Sequence, residues 1–160
     1  MPPTIRPYDP ARDRDAVLTC IVELQEFERA LEPSLPQGDK MADAYLETIF
    51  ERVAKQTGRI FVAEVGHAVV GFIVILGRVS PEASDEEQTV HAYISDLVVL
   101  PTHRSRGLGH QLLDAAERFA RGLGTKRLDI SVLSKNPAAA RLYRDFGFQD
   151  FRIQLAKRLD

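Results

Sequence analysis

The sequence predicts an α/β protein whose strands and helices follow one another in the order β-α-α-β-β-β-α-β-α-β. Two observations lead to this order: long segments with apolar residues at helical spacing alternate with short segments rich in β-branched and aromatic residues, and Gly or Pro stands at most junctions. The chain has 160 residues, of which 44% are hydrophobic, so it is long enough for one core. Because no change in composition marks a boundary, we expect residues 1–160 to form a single domain.

The first half of the chain is predicted to hold a strand, two helices and a hairpin. Apolar residues recur every three to four positions in both helical segments, and Pro33 and Pro36 interrupt the chain between them. Gly66-His67 separates two β-rich runs, which is typical of a hairpin. The predicted elements are a strand over residues 5–8, helices over 11–31 and 41–56, and hairpin strands over 59–65 and 68–78.

The second half is predicted to alternate strands with helices after an acidic loop over residues 80–88. Asn136 is a suitable N-cap for a short helix, Pro137 suits its first position, and Gly147 suits the residue after its last turn. The predicted elements are strands over residues 93–100 and 127–133, a helix starting at residue 108, the short helix over 136–147, and a last strand in which Phe151, Ile153 and Leu155 alternate.

A glycine-rich turn between strand 93–100 and the following helix has the features of an anion site. Gly107 and Gly109 permit backbone conformations in which successive N–H groups point outward, and the first helical turn adds its unpaired donors. Arg104 and Arg106 add positive charge. The Walker and dinucleotide patterns do not fit, because Gly109 is followed by His-Gln and Leu112 stands where a third glycine is needed. A glycine turn that is merely tight remains the alternative.

Two motifs together resemble those of the GCN5-related N-acetyltransferases. The first is Arg-x-x-Gly-x-Gly at residues 104–109, and the second is Asn-x-x-Ala-x-x-Leu-Tyr-x-x-x-Gly-Phe at residues 136–148. The resemblance implies a mixed, mainly antiparallel central sheet flanked by helices, and acetyl-CoA as acyl donor. It places the pantetheine arm and pyrophosphate against these residues: Leu97, Val98, Val99, Arg104, Ser105, Arg106, Gly107, Leu108, Gly109, His110 and Asn136.

The resemblance also suggests which residues act as the catalytic acid and base. Attack of an amine on a thioester needs a base for the ammonium and an acid for the departing thiolate. Tyr143 matches the family's tyrosine beside the sulfur and is our candidate acid; packing between helix and sheet is the alternative. Related small-amine acetyltransferases often carry a glutamate base where this chain has Ser95, so Asp96 becomes the candidate base, with a purely structural hydrogen-bonding role as its alternative.

Four further carboxylates are candidates for residues that face the acceptor amine. They are Glu26, Glu28, Glu32 and Glu64, which spacing alone does not distinguish. Since alternate residues of a strand face opposite sides, Asp96 need not point where Ser95 points.

Composition narrows the remaining choices of function. The net charge of −2 and the pI near 6.1 argue against a nucleic-acid surface. We expect a cytoplasmic protein, since no apolar run is long enough for a bilayer and the single cysteine, Cys20, suits core packing. No metal-ligand spacing is present, and a homodimer is compatible with the resemblance. The predicted activity is acetylation of a small primary amine; a noncatalytic acyl-CoA-binding domain and a protein lysine or N-terminal acetyltransferase are the alternatives.

Overall fold

The computed structural model describes residues 1–85 and 89–160, so the predicted acidic loop over residues 80–88 lies partly outside the described residues. Its elements follow the predicted order up to the second motif. They are β1 (Thr4–Pro7), α1 (Arg14–Leu31), α2 (Gly38–Lys55), β2 (Arg59–Val65), β3 (Ala68–Val79), β4 (His91–Val99), a 3-10 turn (Pro101–His103), α3 (Leu108–Gly122), β5 (Leu128–Ile130) and α4 (Pro137–Phe146). None of the helices in the two described ranges has the length and apolarity of a membrane span.

The five strands form one mixed sheet in chain order, β1-β2-β3-β4-β5. Each of the first four strands pairs antiparallel with the next, whereas β5 runs parallel to β4. Because α3 connects these two parallel strands, it crosses one face of the sheet. The prediction of a mixed, mainly antiparallel sheet flanked by helices is confirmed.

The helices cover the two faces of the sheet and enclose a separate core on each. On one face α1 and α2 pack on alternate strand residues such as Phe72 and Val74, and Cys20 is fully buried there, as the sequence predicts. On the other face α3 covers Ile73 and Ile75, and α4 packs beside α3 through Leu142. The alternation along β3 therefore divides its side chains between two cores.

A β-bulge in β4 interrupts this alternation at Ser95. Val74 of β3 pairs with Asp96 and its neighbour Ile75 pairs with Ile94, so Ser95 is the extra residue without a partner on β3. Before the bulge the even-numbered Ile94 faces the α3 core, and after it the even-numbered Val98 faces the α1–α2 core. The bulge thus turns Asp96 toward α1 and α2.

An ion-pair cluster joins the beginning of the sheet to the start of α1. Arg6 on β1 donates from Nη1 and Nη2 to the two oxygens of Asp13 at 2.7 and 2.9 Å, and from Nε to Glu64 on β2 at 3.0 Å. Asp13 is only 2% exposed and also accepts a bond from the Asp9 N–H. The guanidinium of Arg6 holds the pKa of Asp13 below its usual range.

Two predictions for the end of the chain are wrong. The strand predicted over residues 127–133 is only Leu128–Ile130, because β4 and β5 diverge directly after the pair Ile94–Ile130. The predicted last strand does not form: residues 149–160 have no regular structure, and Phe151, Ile153 and Leu155 are all exposed. Their alternation suits a strand, but within the described chain no strand pairs with this segment, so the pattern has no backbone partner.

Candidate active site

A cavity of about 620 Å³ opens where β4 and β5 separate. The two strands pair only at Ala92, Tyr93 and Ile94, so the edge of β4 beyond the bulge has no β5 partner. The cavity walls come from α1, α2, the end of β4, the glycine-rich turn, the segment after β5, and α4. Both sequence motifs therefore meet in one space, although some thirty residues separate them.

The glycine-rich turn forms part of the cavity wall, and two of its residues have positive φ. Gly107, the N-cap of α3, has φ of 80°, and Ser105 has φ of 60°, an uncommon conformation for a residue with a side chain. Gly109 has a different role: a Cβ there would lie 2.9 Å from Leu142, so glycine lets α4 pack closely on α3. Leu108 is buried and anchors the turn.

Of the two arginines of the turn, Arg104 lines the cavity and Arg106 does not. Arg104 lines the cavity, donates from Nε to the Val99 carbonyl at 2.9 Å, lies 3.5 Å from a Glu23 carboxylate oxygen and stacks on Phe27. Arg106 is exposed and does not line the cavity, so the structure does not bring it to the site with Arg104. His110 does line the cavity, with its ring against Phe146.

The structure also brings the predicted strand residues to this space. Leu97, Val98 and Val99 all line the cavity, and they pair with β3 on one edge while their other edge lacks a β5 partner. A free strand edge offers main-chain donors and acceptors to an extended amide-bearing chain. This edge and the first N–H groups of α3, which lack a partner within the helix, fit a ligand with a pantetheine arm and a pyrophosphate.

Asp96 is buried beside the cavity and is held by two neutral donors. The Tyr45 hydroxyl donates to its Oδ1 and the Ser95 hydroxyl to its Oδ2, both at 2.7 Å. Burial raises the pKa of Asp96, while these two hydrogen bonds and the charge of Arg52 partly oppose the rise. Contrary to simple strand alternation, the bulge places the neighbouring side chains of Ser95 and Asp96 in direct contact.

The second motif contributes Tyr143 and Asn136 to the cavity wall. The Asn136 side chain accepts a hydrogen bond from the Ala139 N–H at 3.2 Å, which confirms it as the N-cap of α4. Tyr143 is half-buried, and burial together with the charge of Glu28 raises its pKa to about 12. Its hydroxyl has no hydrogen-bond partner among the described residues, so this group is available to a ligand and stays protonated at physiological pH.

Of the four carboxylates that the sequence left open, only Glu28 lines the cavity. Burial and the charge of Asp96 raise the pKa of Glu28. Glu26 instead accepts from the Gly38 N–H, Glu32 binds Ser34 and Arg158, and Glu64 binds Arg6 and Arg12.

Sequence reasoning missed Tyr45 altogether. Its spacing with Ile49 and Val53 on α2 is that of an ordinary core face, and indeed it packs against the α1–α2 core while its hydroxyl reaches Asp96. The bulge at Ser95 also has no signal in the sequence, since no Gly or Pro marks it.

Comparisons with known proteins show the family to which this fold belongs. A family model described as the acetyltransferase (GNAT) family matches residues 24–148. Two proteins of Bacillus subtilis named as uncharacterized N-acetyltransferases are similar: YycN is 31% identical over 85 residues, covering 53% of this chain and 54% of that protein, and YhfO is 28% identical over 138 residues, covering 86% and 85%. The match to YycN thus spans about half of that protein's length.

A solved structure with a similar fold is that of AAC(6')-Iy in complex with a bisubstrate analogue, CoA-S-monomethyl-acetylneamine. Its TM-score is 0.73 at 18% sequence identity, and the alignment covers 100% of this chain and 99% of that one. At this level of identity the likeness shows a shared fold.

Proposed function

Because the chain belongs to the GNAT acetyltransferase family, in which acetyl-CoA is the acyl donor, we propose that it acetylates the primary amine of a small molecule by direct attack in a ternary complex. One observation carries this proposal: a single cavity joins the Gly107 turn, the free edge of β4, the unpartnered hydroxyl of Tyr143 and the Ser95–Asp96 pair. A donor site and proton-transfer groups are therefore adjacent.

We propose that the donor is held largely by main-chain atoms. Leu97, Val98 and Val99 present the edge for the pantetheine arm, and the N–H groups after Gly107 face the pyrophosphate at the positive end of the α3 dipole. Arg104 adds a cation at this end, and Asn136 fixes the start of α4 beside the arm. The bound donor supplies an acetyl group activated as a thioester.

The proposed base is Asp96, which acts through Ser95. The Ser95 hydroxyl donates its proton to Asp96 and lines the cavity, so its oxygen has lone pairs free to accept a proton from an incoming ammonium. The raised pKa of Asp96 suits a group that must gain a proton and release it again. The amine nitrogen, now neutral, forms its bond to the acetyl carbon as the carbon–sulfur bond breaks. The nitrogen then loses its second proton, which restores the phenol of Tyr143 after that group has protonated the thiolate.

The proposed acid is Tyr143, which gives its proton to the departing thiolate. With a pKa of about 12 the phenol holds this proton at physiological pH, and no other described group competes for its hydroxyl. A merely packed aromatic residue would not need a hydroxyl in the cavity. The Tyr143 hydroxyl therefore favours a catalytic protein over a noncatalytic acyl-CoA-binding domain.

The deciding experiment measures amine-dependent release of free CoA from acetyl-CoA by the wild type, Tyr143→Phe and the control Tyr93→Phe. Tyr93 donates its hydroxyl to Ser131 and does not line the cavity. We expect Tyr143→Phe to lower kcat by roughly 100-fold without altering the affinity for acetyl-CoA, and Tyr93→Phe to change neither. Binding of acetyl-CoA with no release by any amine would instead identify an acyl-CoA-binding domain. Release with lysine peptides alone would identify a protein acetyltransferase.

A further inference from the structure

Among the described residues, two carboxylates line the cavity, and one of them, that of Glu28, has no role in the proposed mechanism. Resting on the acetyl-transfer function proposed above, we propose that Glu28 is the specificity residue of this site. It binds a second cationic group on the acceptor, so the enzyme prefers amines that carry another positive charge over monoamines and amino acids.

The first argument is the absence of a protein partner for Glu28. Within residues 1–85 and 89–160 its carboxylate makes no hydrogen bond or ion pair, although neighbouring acids on the same helix do: Glu23 faces Arg104, and Glu26 holds Arg29 and the Gly38 N–H. Glu28 is nevertheless half-buried in the cavity wall. A partly desolvated carboxylate without a partner is unfavourable unless a cation joins it, and a bound ligand can supply that cation.

The second argument is the distribution of charge around the cavity. The basic side chains that line it, His103, Arg104 and His110, all belong to the turn assigned to the donor's phosphates. Besides Glu28, the part of the wall that α1 and α2 supply has apolar and neutral side chains, including Leu24, Met41 and Tyr45. Such a wall accommodates an aliphatic chain that ends in a cation.

The third argument concerns acceptors that carry a carboxylate, which the negative charge of Glu28 would repel. The charge of Glu28 acts on Tyr143, and that of Asp96 acts on Glu28, so both acids belong to one electrostatic environment. An acceptor with a carboxylate at its far end would be repelled there by the like charges of Glu28 and Asp96. Amino acids are therefore expected to be poor acceptors.

Three four-carbon acceptors test this proposal: 1,4-diaminobutane, butylamine and 4-aminobutanoate, whose far ends are cationic, neutral and anionic. For the wild type we expect kcat/KM to fall in that order, by roughly tenfold at each step. Glu28→Gln preserves the shape of the side chain and one acceptor oxygen but removes the charge. It should raise KM for the diamine about tenfold, affect butylamine less than the diamine, and reduce the differences in kcat/KM among the three acceptors.

Glu51→Gln is the matched control, because Glu51 is an exposed acid on α2 outside the cavity and its replacement makes the same change in net charge. Either of two results with Glu28→Gln would overturn the specificity role: an equal change in kcat/KM for all three acceptors, or no change in kcat/KM for any of them. A wild-type preference for butylamine or 4-aminobutanoate would also overturn it. The same holds if other amines are acetylated while the diamine is not. Loss of CoA release with every amine tested would instead contradict the proposed function.

Discussion

Asp13 and Asp96 are the two buried aspartates among the described residues, and their surroundings are opposite. Asp13 meets a guanidinium that donates to both of its oxygens, and its pKa is lowered. The side chain of Asp96 accepts its hydrogen bonds from the hydroxyls of Ser95 and Tyr45, and burial raises its pKa. A buried carboxylate paired with a fixed cation supports the fold, whereas one held by neutral donors at a cavity is suited to proton transfer.

The largest expected effect is on stability at Arg6. Arg6→Leu removes the cation that pairs with Asp13 and Glu64 and leaves a buried carboxylate without its main partner. We expect unfolding in urea to show a loss of about 3–5 kcal/mol. Arg14→Leu, which breaks only exposed ion pairs, is the control and should leave the midpoint nearly unchanged. A loss as small as that of the control would mean that the Asp13 cluster does not stabilise the fold.

The next effect is on activity at Asp96. Asp96→Asn keeps the size of the side chain but cannot accept a proton, so we expect kcat/KM to fall about 100-fold. Stability should stay the same or rise, because a desolvated charge has been removed. Asp13→Asn should show the reverse, with lower stability and unchanged turnover per folded molecule. Full activity of Asp96→Asn would remove Asp96 from the proposed mechanism.

The pH dependence of stability should have opposite signs at the two aspartates. The lowered pKa of Asp13 means that its contribution is present above the unfolded pKa and is lost as pH falls through the folded pKa. The raised pKa of Asp96 means that its contribution is present below the unfolded pKa and is lost as pH rises through the folded pKa.

Subtracting the unfolding free energy of each Asn variant from that of the wild type isolates these contributions. From acid toward neutral pH we expect the difference to grow for Asp13→Asn and to shrink for Asp96→Asn, each by at most about 1.4 kcal/mol per pH unit. Two curves that change in the same direction would contradict the comparison.

The smallest expected effect is that of Tyr45→Phe on the pH dependence of the rate, which tests whether the hydroxyl donors of Asp96 set its pKa. Tyr45→Phe removes one of the two donors to Asp96, which should raise the pKa of Asp96 further and move the acidic limb of the pH–rate profile to higher pH. The accompanying loss of stability should be about 1 kcal/mol. An unshifted profile would show that the titration of Asp96 does not govern the rate.

Local signals account for what could be predicted. The N-cap Asn136 with Pro137, and the glycine turn at Gly107, each depend on a few adjacent residues, and both have the predicted structure. The hairpin around Gly66-His67 is correct for the same reason. The last strand failed because the alternation of residues 151–155 describes a side-chain pattern, whereas a strand also needs a neighbour with a free backbone edge.

By itself, the sequence determined the order of nearly all elements, since this order follows from periodicity and capping. The choice of Tyr143 and Asp96 as candidate catalytic residues rests on the resemblance of the two motifs to those of the family. Only the tertiary structure decided the direction in which the Asp96 side chain points. It also decided which of the four candidate glutamates lines the cavity. The bulge at Ser95 depends on the register between β3 and β4, and the exposure of Glu28 depends on how α1 and α2 pack beside the separating strands. Both result from contacts between residues far apart in the chain, which local patterns do not encode.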